Sequence, residues 1–161
     1  MKNPDNTALR RALGQFATGI TVVTARGSDG TLAGLTVNSF ASVSLDPPLV
    51  LWSLSSHSPS RPVFETCSHY AINVLAEDQA DLSRRFAASG TDKFAGLAWL
   101  SGAGGAPLLE GCCARFECCN ETRHEGGDHS IFVGRVEHHE CLGPQDRPLL
   151  YHAGRYRRIA P

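Results

Sequence analysis

The feature that most narrows the fold is a succession of short β-branched or apolar segments separated by turn chemistry, with no regular strand–helix alternation. Ile20–Ala25 (ITVVTA) is β-branched and reads as a strand. Ser28-Asp29-Gly30 is a hairpin turn, so Thr31–Val37 is expected to pair back against it. Phe40–Leu45 predicts a further strand, which Asp46-Pro47-Pro48 breaks. Leu49–Leu54 (LVLWSL) is almost continuously apolar, which predicts a central, buried strand. Tyr70–Leu75 is another strand, and Ala114–Arg123 and Ser130–Cys141 form a hairpin about Gly126-Gly127. Leu149–Tyr156 reads as a last strand.

Helices are few. Asn6 or Thr7 caps one to about Phe16, with Leu9, Leu13 and Phe16 on one face. A helical turn is expected over Pro62–Cys67, and Glu77 or Asp78 caps a helix to about Ala88 that sets Leu82 and Phe86 four apart. Ser101–Pro107 (SGAGGAP) reads as a flexible loop. Six to eight strands joined by hairpins, with helices as inserts, predict a mainly β antiparallel barrel and disfavour a doubly wound parallel sheet.

A chain of 161 residues is long enough to bury its own core and is expected to be a single domain over 1–161. The net charge of −1 and the absence of a basic patch argue against nucleic acid as a partner. No apolar run approaches a membrane span, and MKNPDNTALRRAL lacks a signal-peptide core, so the expected location is cytoplasmic. The six cysteines include the adjacent pairs Cys112-Cys113 and Cys118-Cys119 and no CxxC, which suits reduced thiols in a core. Glu137-His138-His139-Glu140-Cys141 clusters metal-capable groups without a recognised ligand spacing, so no metal is expected.

Function is concentrated in Gly34–Pro48 (GLTVNSFASVSLDPP), where Thr36, Asn38, Ser39, Ser42 and Ser44 interleave with Val37, Phe40 and Val43. That mixture suits a site that hydrogen-bonds the edge of a flat polar ring and covers its apolar face. The glycines of Ser101–Pro107 do not make a dinucleotide fingerprint, because Pro107 stands where the last glycine would fall. Walker, HExxH and GxSxG patterns are absent, so hydrolase chemistry has no positive support. A second motif, Gly127–Gly134 (GDHSIFVG), places His129 at a strand mouth just after a turn.

Taken together, GLTVNSFASVSLDPPLV, the serine loop, Asp92-Lys93-Phe94 and GDHSIFVG resemble the flavin reductase family, the small reductase components of two-component flavin-dependent monooxygenases. Leu9–Ala25 (LRRALGQFATGITVVTA) and Pro148–Arg157 (PLLYHAGRYR) resemble that family's opening and close, so the resemblance covers nearly the whole chain. It implies an FMN-binding split β-barrel with a few short peripheral helices, and typically a homodimer. It implies FMN or FAD as the flavin, NADH or NADPH as the hydride donor, and a monooxygenase as the recipient of reduced flavin.

Carried over by motif, the resemblance sets Thr36, Val37, Asn38 and Ser39 along the isoalloxazine edge, with Ser42, Val43 and Ser44 nearby. The loop bearing Ser55, Ser56, Ser58, Ser60 and Arg61 corresponds to the flavin-phosphate position, whose chemistry hydroxyls, amides and a guanidinium suit. Lys93 and Phe94 correspond to a second phosphate or ribityl contact, and His129 to the histidine near the nicotinamide. Asp128 either orients His129 or caps the turn; Arg155, Tyr156 and Arg157 face cofactor or dimer partner. The alternatives are a split-barrel oxidase of the pyridoxamine phosphate oxidase type, which GDHSIFVG argues against, a flavin-binding protein without reductase activity, and a metal-binding β-domain using residues 137–141.

Overall fold

The computed structural model describes residues 6–143 and 147–160. Its framework is a seven-stranded antiparallel sheet in the order β3-β2-β6-β9-β10-β5-β4. These strands are β2 (Thr21–Arg26), β3 (Leu32–Val37), β4 (Ala41–Leu45), β5 (Pro48–Ser55), β6 (His69–Val74), β9 (Ala114–Gly126) and β10 (His129–Cys141). The connectivity dictates the shape. Strands β3 and β4 lie at opposite edges yet are joined by residues 38–40 alone. A flat sheet would hold those edges about 29 Å apart at its usual strand spacing. Three linking residues span at most about 14 Å. The sheet therefore curls to bring its edges toward each other, and the short link is fastened to β5 by Ser39, whose Oγ accepts the Ser53 amide at 2.9 Å.

The expected β2–β3 hairpin is present. Its turn is closed by Asp29 Oδ1, which accepts the Thr31 amide at 2.9 Å and is thereby held below the usual carboxylate range, and by Gly30 at φ 86°. Alternation sorts β2 between two cores: Val23 and Ala25 point into the barrel, and Val22 points outward. That two-sided burial explains why apolar and β-branched residues stand at successive positions of this segment. Inside the barrel Trp52 stacks on Phe132 at 4.8 Å and meets Phe64 edge-on at 4.9 Å. Outside, Ile20, Val22, Leu75, Leu109 and Leu149 pack with Phe86 of α3 (Ala80–Ala87).

Five expectations are corrected. Strand β5 is not central: it lies next to the edge and buries only its Val50, Trp52 and Leu54 face, because β4 and not a second layer covers its flank. Leu149–Tyr156 is a hairpin, β11 (Leu150–His152) and β12 (Arg155–Arg157), reversed at Ala153 and Gly154, both at positive φ, and β11 pairs with β1 (Thr18–Gly19). Ser101–Pro107 joins β7 (Trp99–Ser101) to β8 (Pro107–Leu109) as a hairpin through a 3₁₀ turn. Asn73 anchors that hairpin, accepting the Leu109 amide at 2.9 Å and donating to Val22 O at 3.0 Å. Helix α3 starts after Gln79, without the Glu77 or Asp78 cap. The short helix α1 (Thr7–Leu13) buries nothing: Leu9, Leu13 and Phe16 are 58, 65 and 80% exposed. The turn expected over Pro62–Cys67 is α2 (Arg61–Thr66). No helix among the described residues is long and apolar enough to cross a membrane.

Candidate functional site

Strand β3 is hydrogen-bonded on one side only, to β2. In an antiparallel strand the N–H and C=O of one residue point the same way, and the direction alternates along the chain. The Gly34 carbonyl accepts from Lys93 Nζ at 3.0 Å, away from β2, so Leu32, Gly34 and Thr36 turn their backbone groups to the open side. Two cavities lie along this edge. The larger, about 640 Å³, is lined by Thr31 and residues 32–34 of β3, by Pro59, Ser60 and Val63, and by residues 89–94. The smaller, about 210 Å³ and mostly apolar, is lined by Thr36, Val37, Asn38, Ile20, Tyr151 and Tyr156, with Ser83 and Ala87 of α3.

The structure thus gathers Thr36, Val37, Asn38, Ser60, Lys93 and Phe94 along one strand. Several of these side chains already have partners. Thr36 Oγ1 donates to Ser83 O at 2.6 Å, tying β3 to α3. Ser39 fastens the link between β3 and β4 to β5. Lys93 Nζ also donates to Phe86 O at 2.9 Å, so two of its three protons are taken by backbone, and burial pulls its pKa below the usual 10.5. The Asn38 amide and the Ser60 hydroxyl make no side-chain hydrogen bond among the described residues, which leaves both for a ligand. Gly34 is required here: a Cβ would stand 2.5 Å from Phe86 Cε1 and 3.1 Å from Phe94 Cζ.

Ser42, Val43 and Ser44 lie on β4 at the opposite edge and line neither cavity. Val43 is exposed, and Ser44 Oγ accepts the Asp46 amide at 3.2 Å in the following turn. In the serine loop, Ser55 Oγ accepts the His57 amide and Ser58 Oγ the Ser60 amide, both at 3.3 Å, which folds the loop on itself. Arg61 Nε donates to Glu65 Oε1 at 2.7 Å, and its guanidinium lies 3.8 Å from Glu125.

The loop is joined to GDHSIFVG by strand pairing. His129 lies opposite Ser55 in the β5–β10 register, and the Ser56 amide donates to Asp128 O at 2.9 Å. Asp128 does orient the imidazole: His129 Nδ1 stands 2.7 Å from Asp128 Oδ1, and this bond holds the Asp128 carboxyl below its usual 3.8. Nε2, the other ring nitrogen, makes no hydrogen bond among the described residues and is half-exposed at the barrel mouth.

Four residues on the smaller cavity were missed: Ile20, Ser83, Ala87 and Tyr151. Tyr156, left between two roles by its sequence, faces the cavity and donates to Ser83 Oγ at 2.9 Å, with the Arg84 guanidinium 5.1 Å from its ring centre. The available signal was Ala153-Gly154, whose turn chemistry splits the last segment and brings Tyr151 opposite Tyr156.

All six cysteines are free thiols. Burial raises Cys67 to about 11 and Cys112 and Cys118 to about 12. Of the residues 137–141, only Glu137 belongs to a group with metal-ligand geometry, and its companions are His69 and Cys119.

Comparison with known proteins places these features in a family. Residues 13–160 match the family described as Flavin reductase like domain. The chain is 45% identical to "FMN reductase (NADH) SmoA" of Agrobacterium fabrum over 156 residues, 97% of this chain and 87% of that protein. It is 40% identical to the reductase subunit HsaB of a flavin-dependent monooxygenase from Rhodococcus jostii, over 98% of this chain and 80% of that one. It superposes with a TM-score of 0.92 and 39% identity on the Streptomyces globisporus NADH:FAD oxidoreductase SgcE6 in complex with NAD and FAD fragments, covering 100% of this chain and 97% of that one.

Proposed function

The chain belongs to the flavin reductase like domain family, and from that premise we propose that it is an NADH-dependent flavin reductase that supplies reduced flavin to a partner monooxygenase. The residues present fit a flavin. A flat ring needs an apolar slot with backbone donors at its edge, and the smaller cavity sets the open side of β3 against Ile20, Tyr151 and Tyr156. A ribityl phosphate needs hydroxyls and a cation, and the larger cavity holds Ser60 and the remaining proton of Lys93.

The chemistry supplied by the bound cofactors is hydride transfer from reduced nicotinamide to flavin N5. The protein positions and encloses. Asn38 and the outward amide of Thr36 bond the ring edge, and Thr36 held by Ser83 keeps that edge rigid. His129, oriented through Asp128, directs Nε2 toward the nicotinamide carboxamide or a phosphate; it takes no proton from substrate. The observation that carries the reading is the pairing of His129 with Ser55, which sets the imidazole at the root of the loop whose far end, Ser60, lines the larger cavity.

NADH oxidation followed by absorbance, with FMN, FAD or no added flavin, tests the proposal. Dependence on added flavin is expected, and His129→Ala should raise KM for NADH while flavin binding persists. No oxidation with either flavin, despite flavin binding, would make the protein a carrier.

The protein acts as a homodimer in this reading. Support comes from the apolar faces of α1 (Leu9, Leu13, with Phe16 beyond it) and β4 (Val43, Leu45), exposed among the described residues, which a monomer seldom leaves bare. Leu13→Glu with Phe16→Asp should halve the mass seen by light scattering, and a wild-type monomer would overturn this assignment.

A further inference from the structure

We propose that His69, Cys119 and Glu137 form a site for one divalent transition-metal cation of the Zn²⁺ class on the outer face of the barrel. Their ligand atoms all lie within 4.8 Å of one another, and none of the three lines the two cavities along β3. The register explains the grouping. His69 of β6 pairs with Cys119 of β9, and Cys119 pairs with Arg135 of β10, so all three side chains share one face. Between Val136 and His138 the pairing of β10 slips, leaving Glu137 as the bulged residue. A bulge re-aims a side chain, and here the carboxylate turns onto His69, with Nε2 to Oε2 at 3.1 Å.

The donor set is one imidazole nitrogen, one thiol sulfur and one carboxylate oxygen. That combination suits Zn²⁺ rather than Mg²⁺ or Ca²⁺, which take oxygen. Ligands about 2.0–2.3 Å from an ion lie roughly 3–4 Å from each other, so the nitrogen–oxygen pair is already at the right spacing. The outer groups are built as well. Ser68 Oγ stands 2.9 Å from His69 Nδ1 and can accept its proton when Nε2 binds metal. Arg135 Nη1 stands 3.3 Å from Glu137 Oε1, which fixes the carboxylate, and Glu121, 3.3 Å from Arg135 Nε, offsets the guanidinium charge. Three protein ligands leave a fourth position for water, and the cation staples β6, β9 and β10.

The alternation of β9 accounts for the neighbouring Cys118, which points into the barrel while Cys119 points out. Adjacent cysteines are thus divided between core and site.

The test is a titration of the full-length chain with Co²⁺, read as a difference spectrum, with Zn²⁺ as competitor. One equivalent should give thiolate-to-cobalt charge-transfer absorption, which Zn²⁺ abolishes. Cys119→Ser should remove the band, and His69→Gln and Glu137→Gln should each weaken binding at least about tenfold. Cys141→Ser and the double change His138→Ala, His139→Ala, all at the exposed end of β10, should leave it unchanged. Zn²⁺ should also raise Tm in the wild type and not in Cys119→Ser. Absence of the band in the wild type, its survival in Cys119→Ser, or its loss with Cys141→Ser overturns the proposal. If Cys119→Ser does not fold, unchanged Co²⁺ affinity in His69→Gln and Glu137→Gln overturns it equally.

Discussion

Gly34→Ala adds one methyl group at the point where β3, α3 and the larger cavity meet. The added carbon would stand 2.5 and 2.7 Å from two Phe86 ring atoms and 3.1 Å from Phe94. Ordinary contact begins near 3.4 Å, so the Phe86 ring would have to retreat by about 0.9 Å. It has nowhere to go. Phe86 is fully buried, among Val22, Leu75 and Leu109, and its ring meets Phe94 edge-on at 5.2 Å. Overpacking of this kind costs about 1–3 kcal/mol. The lost freedom of glycine in the unfolded chain returns about 0.4–1 kcal/mol. A net loss of about 1–2 kcal/mol lowers Tm by about 2–8 °C at this chain length. The same strain pushes β3 away from α3 and moves the Gly34 carbonyl that Lys93 holds, so flavin-dependent NADH turnover should fall by about tenfold or more. Differential scanning calorimetry and steady-state kinetics read both effects. Gly19→Ala is the control: nothing lies within 4 Å of the new methyl, and Tm should hold or rise slightly. A Gly34→Ala protein that melts at the wild-type temperature with unchanged turnover would refute the packing of α3 on β3.

Lys93→Met keeps the stem and removes both bonds to Gly34 O and Phe86 O; after allowance for the solvent around the half-exposed ammonium, it should cost about 1–2 kcal/mol in urea unfolding and weaken phosphorylated flavins more than riboflavin. Equal losses for both flavins would leave Lys93 a purely structural residue. Asp128→Asn keeps an acceptor for His129 Nδ1 but removes its charge; KM for NADH should rise about two- to fivefold with flavin affinity unchanged, and an unaltered KM would reduce Asp128 to a turn residue. Stability should also fall in alkali. Cys67, Cys112 and Cys118 titrate from 9.0 in the unfolded chain to about 11 and about 12 in the fold, and Tyr70 is raised too. The folded state therefore holds more protons between those values, so its advantage is complete below pH 9.0 and is lost as pH rises toward 11–12. A urea midpoint that stays level from about pH 8 to about pH 10.5 would contradict this burial.

Strands, turns and the placement of both motifs were legible in the chain because they rest on local chemistry. Alternation marks β9 and β10, Gly126-Gly127 marks their turn, and Asp46-Pro47 ends β4 wherever the rest of the chain goes. Leu49–Leu54 was misjudged because a continuous apolar run does not say how many faces it buries; β5 buries one, as the next-to-edge strand of a rolled sheet. Leu9, Leu13 and Phe16 form a true helical face, but periodicity cannot say that nothing among the described residues covers it.

The candidate site divides along the same line. Thr36 and Asn38 could be singled out from residue type and order, and His129 from the motif that carries the family resemblance, since hydroxyl, amide and imidazole chemistry belongs to the residue. What they are free to do was decided by contacts far away in sequence. Ser83 accepts the Thr36 hydroxyl across 47 positions, and the Gly34 carbonyl engages Lys93 across 59. Glu137 reaches His69 across 68 positions, through a bulge no local pattern announces. Local sequence determines which backbone states and donor groups are available. Only closure of the sheet, which sets every register at once, decides which of those groups are used by the fold and which are left for a ligand.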